Sequence, residues 1–283
     1  SVIAILATGP FAVFHFNRLA LYGLAANLVA VPLTAFWIMP AALVAFALMP
    51  LGLDGPVLTV MGWGVSGMLA TAEAVAGWPG SVAVLPSPSL GGLAVMVAGG
   101  LWLCLWRTRW RLWGCAAIAA GCLSVPLTPR PDVLVTGDAR LIGVRAATGD
   151  LWVSTQRRER FSRDVWLRRL GTQRVHTWPP WGLAEDAALS CDPLACLFRK
   201  DGLTVALVRD GRALAEDCRV ADVVVATLPV RRAQCARPSV VIDRFDLWRD
   251  GAHAVYLARD GPWVDTVRAH RGDRPWVRQR GRE

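Results

Sequence analysis

A chain of 283 residues is long enough for two domains. The residue types A, V, I, L, M, F, W, Y and C make up 54% of it and the mean hydropathy is +0.37, which argues against a wholly water-soluble protein and points to a chain partly in membrane. The formal net charge of +9 permits an anionic partner without proving one.

The charge is uneven. Up to Arg130 the only charged side chains besides histidine are Arg18, Arg107, Arg109, Arg111, Arg130, Asp54 and Glu73. Beyond it the chain is dense in both signs, and "PLTPRPD" (126–132) punctuates the change with three prolines. Of the 31 basic residues only Lys200 is a lysine. Arginine forks suit phosphate and nucleic acid, with arginine-rich codon usage as the plain alternative. The expected fold class is a polytopic α-helical membrane domain (1–127) followed by a soluble α/β domain (128–283).

The first residue is not a methionine and no charged segment precedes the first apolar run, so the expectation is a piece of a longer protein. Val2 to Phe14 reads as the tail of a helix. Leu19 to Met49 exceeds the roughly 20 residues of one straight span. Pro32 and Pro40 divide it into a short broken or re-entrant helix and a span from about Leu33 to Met49. Pro56 to Trp78 is weakly apolar and contains Glu73, so it is expected in the interface or inside a bundle. "GWPGSVAVLPSPSL" (77–90) is a loop. Leu90 to Trp106 is a good span and Leu112 to Leu127 a shorter one. Between these two lies "RTRWR" (107–111), flanked by tryptophans. The positive-inside rule assigns this turn to the cytoplasm and the charged domain to the opposite, extracytoplasmic side.

The stretch "FHFNRLALYGLAANLVAVPL" (14–33) carries His15, Asn17, Arg18 and Asn27 in an apolar setting. Polar groups at membrane depth tend to mark a pathway. The plain alternative is an interfacial turn with Arg18 snorkelling to headgroups.

After Asp132, "DVLVTGDARLIGVRAATGDLWVST" predicts two or three strands with turns at Thr136–Gly137 and Thr148–Gly149–Asp150. "RERFSRDVWLRRLG" has helical spacing, with Phe161, Val165, Trp166 and Leu170 on one side. With Arg157, Arg158, Arg160 and Arg163 it forms a basic, aromatic-containing helix suited to DNA phosphates or anionic headgroups, or simply a solvated face. "LTVALVRD", "ADVVVAT" and "PSVVID" read as strands, "GRALAEDCRV" as a helix, and "AHAVYLARDGPWVDTVRAH" as a hairpin around Asp260–Gly261. The tail after Arg271 is expected to be disordered. Cys191, Cys196, Cys218 and Cys235 are expected as disulfides on an oxidising side of the membrane. Three pairings are open, with a four-thiolate zinc site as the rival. Cys104, Cys115 and Cys122 read as small apolar packing in the spans.

Several motifs then coincide. "FHFNRLALYGLAANLVAVPL", "FWIMPAALVAFAL", Gly62–Trp63, "WPG" at Trp78 to Gly80 and the basic loop before a last span together resemble the C-terminal portion of the ComEC family of competence proteins. That resemblance implies an inner-membrane channel passing one strand of DNA inward during transformation. On it, His15, Asn17, Arg18 and Asn27 are candidates for the DNA path. The implied partners are single-stranded DNA, the bilayer, other competence proteins and the N-terminal part of the same protein. In many members the last domain is similar to a metallo-β-lactamase. Gly137–Asp138–Ala139 keeps part of its "DVGQGDA"-like start, but Thr227, Leu228 and Pro229 stand where a histidine pair is expected. The four histidines, His15, His176, His253 and His270, are scattered. A degenerate scaffold without metal or other cofactor is therefore expected, with Asp243, Asp246 and His253 as a remote metal candidate. Asp243–Arg244–Phe245–Asp246 reads more simply as a strand-end turn. The rival functions are a membrane-tethered periplasmic nuclease and a non-catalytic DNA-binding module at the channel mouth. No nucleotide-binding or nucleophile-elbow motif is visible.

Overall fold

The computed structural model describes residues 2–272 and 274–276. Of the tail after Arg271, residue 273 and residues 277–283 lie outside the described residues. The chain divides into two compact units, Ser1–Thr128 and Pro129–Glu283.

The first unit is helical. Its elements are α1 (Val2–Phe16), β1 (Arg18–Ala20), α2 (Gly23–Leu33), α3 (Met39–Leu48), α4 (Asp54–Ala76), β2 (Val82–Val84), α5 (Leu90–Leu105) and α6 (Trp113–Leu123). The two prolines do not divide the second apolar run. A π-helical turn, Thr34–Ile38, joins α2 to α3, and the helical run is continuous over Gly23–Leu51. The wider turn lets the Met39 N–H reach the Thr34 carbonyl, so the hydrogen-bond register slips by one residue where Pro40 has no N–H to offer. The same turn carries Trp37, whose Nε1 donates to the Val60 carbonyl of α4 at 2.9 Å. A Cβ at Gly64 would stand 2.7 Å from the Trp37 ring, so only glycine admits this approach.

By length and composition, Gly23–Leu51 and Asp54–Ala76 are long and apolar enough to cross a membrane. The segment expected in the interface or inside a bundle is a 23-residue helix. The two expected late spans are shorter than read. α5 has 16 residues, and α6 has 11 because it ends at Leu123, where a turn over residues 124–127 takes the rest of that segment. They pack tightly through glycines. A Cβ at Gly99 would stand 2.7 Å from the Gly114 carbonyl, and one at Gly121 the same distance from the Gly92 carbonyl. Close backbone approach through small residues is how helices associate where apolar burial offers no drive. Cys104, Cys115 and Cys122 are exposed free thiols, and the Cys122 thiol reaches Met96 Sδ of α5 at 4.0 Å.

The second unit is a four-layer α/β sandwich. Its elements are β3 (Val133–Val135), β4 (Ile142–Arg145), β5 (Leu151–Val153), α7 (Arg160–Leu170), β6 (Val175–Thr177), β7 (Gly182–Ala184), β8 (Leu189–Cys191), β9 (Ala195–Lys200), β10 (Leu203–Val208), α8 (Leu214–Val220), β11 (Val223–Ala226), β12 (Val240–Ile242), α9 (Arg244–Asp250), β13 (His253–Ala258), β14 (Gly261–Thr266) and α10 (Val267–Arg271). One six-stranded sheet runs β14-β13-β3-β4-β5-β6 and the other β12-β11-β10-β9-β8-β7. Strand side chains alternate with period two. Val133, Val135 and Val144 of the first sheet therefore meet Val205, Leu207 and Val223 of the second in a central core. The opposite faces are buried as well. Leu134, Leu151 and Val153 pack under Trp166, Leu167 and Leu170 of α7, and Ala206, Val208 and Val224 under Ala213 and Cys218 of the α8 segment. Burial on both faces explains the continuous apolar runs "VLV" and "VVVA". Phe161, expected on the same side of α7 as Val165, Trp166 and Leu170, is 79% exposed, because the helix rests on its C-terminal turns.

An ion-pair knot ties the sheets together. Asp132, at the start of β3, is 3% exposed. Its carboxylate accepts from Arg145 Nη2 and Lys200 Nζ, both at 2.6 Å, and from the Leu257 N–H at 2.8 Å. Lys200 ends β9 in the opposite sheet. Three donors satisfy the buried carboxylate, as burial of a charge requires.

Candidate nucleic-acid interface

The stretch 14–33 runs from the end of α1 through β1 into α2. α1 stops at Phe16 because Asn17 takes the left-handed conformation, with φ at 57°. Asparagine tolerates that conformation at a helix C-terminus better than other non-glycine residues. The chain then runs through β1, which pairs antiparallel with β2, Arg18 opposite Val84. The loop 77–90 is therefore not free. Asn17 Nδ2 donates to the Leu85 carbonyl at 3.0 Å and to Ser87 Oγ at 2.8 Å, and Ser87 Oγ donates to the Phe14 carbonyl at 3.2 Å. Asn17 is 8% exposed. It is a clasp joining two distant segments, with both protons of its side-chain amide engaged within the protein. Ser87, absent from the sequence-level candidates, completes the clasp; the serine–proline character of its loop was its only signal.

Arg18 and His15 flank the clasp and are exposed, as is Phe16 at 71%. Asn27 lies in α2 and is half-buried. Of the four path candidates, Arg18 and His15 are thus the accessible ones, held at a fixed place by the ribbon and by Asn17.

Three of the four arginines around α7, Arg157, Arg158 and Arg160, are exposed at its N-terminal end. Arg163 is committed elsewhere. It forks onto Asp164 at 2.7 and 2.9 Å and donates to the Gln156 carbonyl at 3.0 Å, which leaves it 19% exposed.

The histidine, cysteine and acidic residues of the second unit do not converge. Among the described residues, no three of them come together as a metal-ligand group. Asp243 and Asp246 form a reciprocal capping box at the start of α9, so "DRFD" is a helix N-cap and not a simple turn. Burial alone would push the Asp243 carboxyl up. The N–H groups of Val230, Asp246 and Phe245, together with Arg232, hold it below the ordinary carboxylate range. His253 is buried with Nδ1 2.8 Å from the Gly251 carbonyl. His176 stacks on Trp152 and His270 pairs with Asp265. Asp138 is spent within its own turn, accepting from Thr136 Oγ1 at 2.8 Å and the Arg140 N–H at 3.1 Å. The two-metal set of a metallo-β-lactamase does not fit these residues.

Cys191 is bonded to Cys196 and Cys218 to Cys235. The first closes the β8–β9 hairpin, whose register already sets the two residues opposite each other. The second ties α8 to the segment before β12 and leaves no four-thiolate group. Beside it, Asp217 is 7% exposed and its Oδ2 has no hydrogen-bond partner. Burial, with Asp192 and Glu216 adding repulsion, pushes its carboxyl up to about 6.

No curated protein and no solved structure matches the chain. The family model described as "Competence protein" matches residues 1–110. The match spans the clasp, the π turn and the helices from α1 to the basic turn after α5. Its residues are those whose motifs pointed the same way, and over them the chain is similar to competence proteins.

Proposed function

We propose that the chain supplies late membrane helices to an inner-membrane channel for single-stranded DNA in natural transformation, followed by an extracytoplasmic domain on a degenerate metallo-β-lactamase-like scaffold. The family match over residues 1–110 carries this reading and supports a role in DNA uptake. The apolar runs Gly23–Leu51 and Asp54–Ala76 are suited to a bilayer. The basic turn at Arg107, Arg109 and Arg111 favours a cytoplasmic end for α5, and the two disulfides of the second unit suit an oxidising compartment. Two facing sheets with helices on their outer sides agree with the proposed scaffold. A tethered nuclease would need a ligand set that the described residues do not assemble. A non-catalytic DNA-holding role at the channel mouth is favoured by exposed Arg157, Arg158 and Arg160. Other competence proteins are the expected partners.

The test is uptake of labelled DNA in cells whose full-length protein carries R18A and N27A, with membrane levels checked. Loss of uptake at normal protein level is expected. Normal uptake would return the stretch to a packing role and overturn its place on the path.

A further inference from the structure

A groove of about 690 Å³ lies on the outer side of the second sheet, along α8 and the segment 230–237. Its volume is within the range of small-ligand sites. Leu214, Ala215, Cys218 and Arg219 line it from α8 at helical spacing, which turns Glu216 and Asp217 to other sides. Val230, Arg231, Gln234, Cys235 and Arg237 line it from the facing segment. The Cys218–Cys235 bond joins the two walls.

The charge of this groove is one-sided. Three arginines and one amide line it and no carboxylate does. Among the described residues, none of Arg219, Arg231 and Arg237 has a carboxylate within ion-pair reach, whereas Arg140, Arg212, Arg232 and Arg249 each hold one. Arg237 Nη1 instead donates to the Arg219 carbonyl, which holds one fork against the neighbouring wall. Unpaired guanidinium forks around a recess are the arrangement that takes up phosphate oxygens bidentately. The floor offers aliphatic carbon and a disulfide, and no aromatic face on which a base could stack.

We propose that this groove binds the phosphodiester backbone of single-stranded DNA, without base preference, through Arg219, Arg231 and Arg237. The choice of DNA as the phosphate source rests on the uptake reading above; the site itself rests on the groove. It is distinct from the arginines at the start of α7. It places the DNA-holding surface of the second unit beside a covalent cross-link, so the spacing of the forks is fixed by the bond between Cys218 and Cys235.

The experiment uses the full chain in detergent micelles and a fluorescent oligodeoxythymidylate, followed by anisotropy over a range of salt. R219Q/R231Q/R237Q is expected to weaken binding about tenfold or more. Removing three phosphate contacts should also make the log–log salt slope shallower by about 2, at roughly 0.7 per contact on a single strand. The control R140Q/R212Q/R249Q removes the same charge from ion-paired arginines and is expected to bind like wild type. R219Q/R231Q keeps Arg237 in place and should weaken binding in the same direction, which separates loss of the site from loss of folding. If wild type binds and the triple variant matches it, the groove assignment falls while the uptake reading stands. If wild type binds phosphatidylglycerol vesicles through the same three arginines and not the oligonucleotide, the groove is a headgroup site and the nucleic-acid assignment falls. If wild type binds neither probe, the groove assignment falls as well; uptake by R18A/N27A cells judges the channel reading independently.

Discussion

Asn17 is held at φ 57° with both protons of its amide in use, one on the Leu85 carbonyl and one on Ser87 Oγ. An alanine there loses two hydrogen bonds, each worth about 1 kcal/mol net, and adopts a left-handed conformation at a further 1–2 kcal/mol. N17A should therefore lower stability by about 3 kcal/mol, and N17G by about 2, since glycine is free of the conformational term. N17D should fare worse than N17G, because a carboxylate would face the Leu85 carbonyl. Thermal unfolding in detergent, followed by tryptophan fluorescence, orders the three. Asp217 makes a second residue-level case. Its folded pKa of about 6 lies above the unfolded value near 3.9. The native state binds the extra proton between those values, so the stability it contributes is full below about pH 4 and is lost as pH rises to 6. The shift corresponds to about 3 kcal/mol at most. D217N should be more stable than wild type at pH 7 and equal to it below pH 4, in thermal melts across that window.

At the scale of elements, the sequence was legible where one rule dominated. The strands β3, β10, β11 and β12 were read correctly because runs such as "VVVA" are buried on both faces and bounded by turn residues. The hairpin of β13 and β14 followed from Asp260–Gly261. The opposite held for Leu19 to Met49. Proline chemistry argued for a break, but the π turn at Thr34–Ile38 shifts the register and keeps the helix continuous. The β1–β2 ribbon was out of reach, since "RLA" and "VAV" are three residues each and their pairing joins positions 66 residues apart, Arg18 to Val84. α9 was missed for a different reason. It has only seven residues and depends on its cap. Asp243 both caps α9 and accepts the Val230 N–H at 3.1 Å. D243A should cost about 2 kcal/mol in thermal unfolding, the upper range for a lost N-cap, and should loosen the 229–237 wall to limited proteolysis.

For the molecule as a whole, the candidate site separates into a part that a motif can announce and a part that only folding assembles. Residues 14–33 announce themselves by polar groups in apolar company. The structure then sorts them, with Asn17 as a structural clasp and Arg18 and His15 as exposed neighbours. Arg219, Arg231 and Arg237 carry no such signal. They are three among many arginines until α8 and the Cys218–Cys235 bond face them across one recess. The Asp132 knot is of the same kind, with its partners 13, 68 and 125 residues away. That knot has a practical corollary. Lys200 is the sole ε-amine in the sequence, and it is engaged with a carboxylate at the junction of the two sheets. Acylation of this one side chain requires the ion pair to part, so its rate under an amine-selective reagent reports how often the Lys200–Asp132 contact opens. A mass increment mapped to the Lys200 peptide then serves as a built-in reporter of that contact, with no label introduced by mutation.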